Sequence, residues 1–183
     1  MAIGEKMTVQ GNPLTIANPG DIGVTSISGG VGKLITIGEW LNGNKDDKYD
    51  HVFIYIGSGQ IVEAEAGKQG AVISNVSEYM DGRPLAFSTG KLDVDDVTPQ
   101  KIVNIALSLV GTKYSFLDYF AIAAHRFHLP IPGLKNYIAS SKHMICSQMA
   151  DYVYQKAGFQ LFTDNRWPGY CTPAEIAVRI GAE

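Results

Sequence analysis

Residues 51–65 read HVFIYIGSGQIVEAE. The nearly unbroken run of β-branched and aromatic side chains predicts a strand over His51–Ile56 that is covered on both faces. Gly57–Ser58–Gly59 then turns the chain, and Gln60–Glu65 returns as a second strand. The length of the connection decides what this hairpin can do, because one residue more or less sends every side chain to the opposite face. With a two-residue loop, His51 shares a face with Val62 and Ala64, and both glutamates point away. A three-residue loop puts His51, Phe53, Tyr55, Ile61, Glu63 and Glu65 on one face. His51 then stands opposite Glu65 and diagonal to Glu63, within side-chain reach of both. A glycine in the third loop position favours this arrangement, since that position needs left-handed backbone. The hairpin thus allows a histidine–carboxylate pair and leaves the partner open between Glu63 and Glu65.

Around the hairpin the first half of the chain reads mainly as sheet. Gly20–Ser28 predicts a short strand, and Ala71–Val76 and Pro84–Ser88 two more. Val31–Leu41 has apolar residues at helical spacing, but its glycines also fit a loop with one helical turn. The second half is helical. Thr98 caps a helix with Pro99 in its first position, and Gly111 ends it. Phe116–Phe127 is a further helical stretch, broken by Pro130 and Pro132. His143–Ala157 predicts another helix, with Gly158 beyond its end. Thr172–Glu175 is a capping box that opens a last short helix. Strands first and helices second predict an α+β domain with an antiparallel sheet. Residues 1–19 read as a lead-in, and 20–183 as one domain.

Composition narrows the function. The 183 residues carry a formal charge of -3, which does not suit a general binder of nucleic-acid phosphates. No apolar run is long enough for stable membrane insertion. The first residues hold no apolar signal-peptide core, so the reading is a chain that is cytoplasmic at synthesis. Gly29–Lys33 lacks the spacing of a phosphate-binding loop. Two cysteines cannot build a disulfide framework. His125 and His128 are three apart and could share a helix face, but no third ligand at matching spacing accompanies them, so no metal and no cofactor is expected.

Cys146 falls near the start of the His143–Ala157 helix, where backbone N–H groups and the helix dipole favour an anion. A thiol in such a place becomes thiolate more readily. The plainer alternative is an inert, buried helical cysteine. For His51 it is a structural histidine with a satisfied hydrogen bond. Cys171 precedes the Thr172 cap, and nothing in the sequence gives it a chemical role.

The order of these pieces resembles the NlpC-type papain-like cysteine peptidases. The resemblance lies in Gly20–Asp21 before a strand, HVFIYIG at His51–Gly57, IVEA at Ile61–Ala64, GTKY at Gly111–Tyr114, Cys146–Ser147 at the head of a helix, and TPAEI at Thr172–Ile176. Because the Cys half comes last, the match is to the circularly permuted, YiiX-like branch. It implies a permuted papain-like fold, in which a partly closed antiparallel barrel packs against a helical Cys-bearing half. Cys146 would be the nucleophile, His51 the general base and acid, and Glu63 the third polar residue. Tyr114 would help to hold the oxyanion beside the Cys146 N–H. The implied activity is cleavage of an amide in a peptide or peptidoglycan cross-link. Two alternatives stand beside it: an acyltransferase or lipid/ester thiol hydrolase with the same triad, and a non-catalytic binding module on the same fold. A cell-wall substrate would require delivery by lysis, by a phage particle or by another secretion route.

Overall fold

The hairpin forms with the expected pairing, by a different local route. Phe53 pairs with Glu63, Ile54 with Val62 and Tyr55 with Ile61, but Gly57 pairs with Gln60. The turn itself is therefore two residues, Ser58 and Gly59, with φ of 53° and 76°. The third residue of the expected loop is absorbed as a bulge in the first strand between Tyr55 and Gly57. Gly57, at φ 100°, takes the backbone that a bulge of this kind requires. Loop and bulge together preserve the face on which His51 and Glu63 meet.

The computed structural model describes residues 17–27, 48–65, 70–94, 98–114, 143–164, 166 and 170–182. The expected elements over Val31–Leu41 and Phe116–Phe127, and the pair His125 and His128, lie outside them. The described elements are β1 (Ile22–Thr25), β2 (His51–Gly57), β3 (Gln60–Glu65), β4 (Gly70–Asn75), a 3-10 turn (Val76–Tyr79), β5 (Leu85–Phe87), α1 (Thr98–Ser108), β6 (Lys113–Tyr114), β7 (His143–Met144), α2 (Cys146–Ala157) and α3 (Pro173–Arg179). This is a mixed α+β arrangement. Among the described residues, five strands form one antiparallel sheet in the order β4-β3-β2-β1-β5, with β4 and β5 at its two ends.

Central β2 is covered on both faces, as its composition predicts. Val52 and Ile54, with Ile22, Val24, Val62 and Ala64, face the helices and meet Ile102, Ala106, Met149, Val153, Ile176 and Ile180. Phe53, Tyr55 and Ile61 face the other way, against Val76 and Tyr79 of the 3-10 turn and Phe87 of β5. Gly23, directly opposite Phe53, makes room for that ring; a Cβ there would lie 2.0 Å from Phe53 Cε2. Phe53 in turn lies parallel to Tyr79, with ring centroids 5.9 Å apart.

Backbone bonds tie the layers together. Tyr154 Oη of α2 donates to the Gly20 carbonyl at 2.7 Å, fixing the helix to the entrance of β1. The start of edge strand β4 is laced to the chain after α1: Ala71 N–H donates to Thr112 O at 2.7 Å, and Gly111 N–H to Ala71 O at 2.8 Å. The approach is so close that a Cβ on Gly70 would fall 2.1 Å from Thr112 O.

One helix boundary differs from expectation. His143 and Met144 pair in parallel with Lys113 and Tyr114, so their hydrogen bonds go to another strand and α2 starts only at Cys146. The Thr172 capping box forms as read: Thr172 Oγ1 accepts from Glu175 N–H at 3.2 Å, and the Glu175 carboxylate accepts from Thr172 N–H at 2.9 Å. Among the described residues no helix is long and apolar enough to cross a membrane.

Candidate active site

The end of β2 and the start of α2 bring His51, Glu63 and Cys146 together. His51 Nε2 lies 2.8 Å from Glu63 Oε2. The choice left open by the sequence thus falls on the diagonal neighbour. Glu65 ends β3 opposite Gly70. On its other side the imidazole hydrogen-bonds the Cys146 side chain. With Nε2 engaged by Glu63, Nδ1 is the ring's second hydrogen-bonding nitrogen.

All three side chains are withdrawn from solvent: His51 is 1% exposed, and Glu63 and Cys146 are 0%. Burying a charged pair is costly unless further hydrogen bonds satisfy it. Glu63 has them. Tyr79 Oη donates to the same Oε2 at 2.5 Å, and Ser74 of β4 adds a further hydrogen bond. Burial alone would push the Glu63 carboxyl up, but the bonds from His51, Ser74 and Tyr79 outweigh it and hold the group below its ordinary 4.5. Burial would likewise push His51 down, yet its bonds to Cys146 and Glu63 raise it above 6.5. The pair is therefore held as imidazolium and carboxylate.

A second carboxylate precedes the histidine in the chain. Asp50 is buried and accepts from Ile27 N–H at 2.7 Å. Burial raises its pKa, against the lowering by that bond and by the charge of His51.

Cys146 occupies the first position of α2, where the N–H points out of the helix end. Two links fix this first turn. Ser147 Oγ donates to the Cys171 carbonyl at 2.8 Å, and Cys171 Sγ lies 3.4 Å from the Ser147 carbonyl. Cys171 is thus a buried fastener of the Cys146 turn, and burial pushes its thiol well above the ordinary range. Gln148 caps the same turn from within, its Oε1 accepting from Ile145 N–H at 3.1 Å. Tyr114 is one strand away from this start, paired with Met144.

No family model matches the chain, and no curated protein matches it. The weight therefore rests on the geometry.

Sequence reasoning missed four contributors: Tyr79, Ser74, Asp50 and Gln148. Two of them had a signal. Asn75 and Glu78 form a capping box that announces a helical turn, and Tyr79 is its last residue. Ser74 alternates with Val72 on the β4 face that meets Ile61 and Glu63. Among the described residues, no group of three His, Cys, Asp or Glu could hold a metal. The arrangement is that of a thiol, a proton carrier and an anchored carboxylate, which suits nucleophilic attack followed by proton return.

Proposed function

We propose that this chain is a cysteine hydrolase of the permuted papain-like, NlpC-related kind, acting on an amide carbonyl in a peptide or peptidoglycan. One observation carries the reading: a single buried imidazole hydrogen-bonds both Glu63 and Cys146. His51 and Cys146 act as an imidazolium–thiolate pair, and the sulfur attacks the carbonyl carbon. The amine leaves with the proton returned by His51, and an acyl-enzyme remains. Water, deprotonated by His51, then releases the acid. Glu63 keeps the ring in one tautomer and supports the imidazolium. Because Cys146 has no exposed surface, substrate reaches the sulfur only when the covering atoms move.

That same burial favours a second reading, in which the fold is kept as a non-catalytic module. Treatment of the full chain with an electrophilic probe for cysteine hydrolases, followed by peptide mapping, separates the two. Labelling at Cys146 that is lost in Cys146→Ala supports the hydrolase. A folded chain whose Cys146 resists both the probe and iodoacetamide at neutral pH supports the module.

A further inference from the structure

The carboxamide of Gln148 has one half accounted for and one half not. Its Oε1 accepts from Ile145 N–H. That bond fixes which end of the amide is which, since a nitrogen placed there would meet another donor. Nε2 then has no hydrogen-bond partner among the described residues, although Gln148 is only 4% exposed. A buried donor left unmade is costly, so a group retained in that state calls for a use. Gln148 lies two residues after Cys146, and its amide is folded back onto the residue just before it. The orphan N–H is therefore carried in the first turn of α2, the turn that begins with Cys146.

We infer that Gln148 Nε2 is an oxyanion donor, acting with the Cys146 N–H, in the acyl transfer proposed above, on which this inference rests. As the C–S bond forms, the carbonyl π pair moves onto oxygen. That oxygen needs donors placed before the charge develops. Gln148 supplies one from a side chain already held at its far end by Ile145. When the intermediate collapses, the pair returns to re-form C=O, the leaving group departs, and Nε2 is again without a partner. The donor thus does its work only while the charge exists, the condition under which a group raises kcat rather than lowering KM.

Two reactions of Cys146 in the full chain isolate this role. Acylation by p-nitrophenyl acetate passes through a tetrahedral oxyanion. Alkylation by iodoacetamide displaces iodide at a methylene and creates none, so it follows thiolate nucleophilicity alone. The ratio of the two rates cancels any change in the thiolate. Gln148→Glu keeps an acceptor for Ile145 N–H and removes the donor. Gln148→Met removes both at similar length. In each, the acylation-to-alkylation ratio should fall about 10²-fold against wild type, with KM little changed. A ratio within about threefold of wild type in either folded variant overturns the inference, and leaves Gln148 as a helix cap only. A wild-type chain that is alkylated but never acylated at Cys146 also overturns it. If Cys146 takes neither reagent in the wild type, the hydrolase reading itself fails first.

Discussion

Glu63 and Cys146 flank the same imidazole from two layers of the molecule, and the two sides are satisfied to different degrees. On the sheet side, Glu63 takes hydrogen bonds from His51, Tyr79 and Ser74 and is fully enclosed. On the helix side, the first turn of α2 is fastened by Ser147 and Cys171 yet keeps an orphan amide at Gln148. A saturated carboxylate fixes geometry and charge. An incompletely satisfied helix start keeps capacity for a ligand. The sheet layer thus orients, and the helix layer is where bonding can still change.

The comparison breaks most completely at the imidazole. Cys146→Ala and His51→Ala should each reduce hydrolysis of an amide substrate by at least about 10³-fold, read by product release. Their stabilities should differ. Cys146→Ala leaves the ionised pair intact, whereas His51→Ala strands a buried carboxylate and should cost on the order of 3 kcal/mol in urea unfolding.

Glu63→Gln tests the sheet side alone. Activity should drop roughly 10²- to 10⁴-fold, as expected when the group orienting a histidine loses its charge, while Glu65→Gln should change it little. An equal loss from both would mean that Glu63 is not the orienting group. The same variant should flatten the pH dependence of stability. Glu63, lowered from 4.5, stabilises fully above 4.5 and loses this as pH falls through its folded value. His51, raised from 6.5, stabilises fully below 6.5 and loses this as pH rises through its folded value. The wild-type contribution is therefore greatest between pH 4.5 and 6.5. Denaturant midpoints across the pH range should decline on both sides of that window; in Glu63→Gln the acid-side decline should largely disappear, while part of the alkaline-side decline persists because Cys146 still raises His51.

Gly23→Ala acts on the sheet side from a distance. The new methyl meets Phe53, which lies against Tyr79, the donor to Glu63. A cost of about 1–3 kcal/mol is expected from overpacking, visible as a lower Tm. Smallest is Cys171→Ser, which keeps a donor beside Ser147 O; its activity should stay within about threefold of wild type, and its stability within about 1 kcal/mol.

The hairpin was the most legible part of the chain because two independent constraints agreed there: the apolar period of β2, and glycines able to take positive φ. The reading placed the extra residue in the loop where the structure has a bulge, yet parity alone determined that His51 and Glu63 share a face. The start of α2 was read three residues early, since His143 and Met144 carry no signal for pairing with Lys113 and Tyr114, a contact between distant segments. Tyr79 and Ser74 carried local signals of turn and strand, but no signal of what they bond. Their importance lies in a carboxylate eleven or more positions away along the chain. The Gln148 orphan could not be read at all, because an unsatisfied donor is a property of packing and has no pattern in sequence.

The lacing of β4 has a consequence for how these molecules behave in a crowd. An open sheet offers rows of unpaired amides and carbonyls at its borders, and such borders invite a neighbouring chain to add a strand. Here one border is occupied at its first residues by Gly111 and Thr112, and the other is only three residues long. Among the described residues, the first border is thus partly occupied and the second is short, so neither offers a neighbouring chain a long row of unpaired backbone groups.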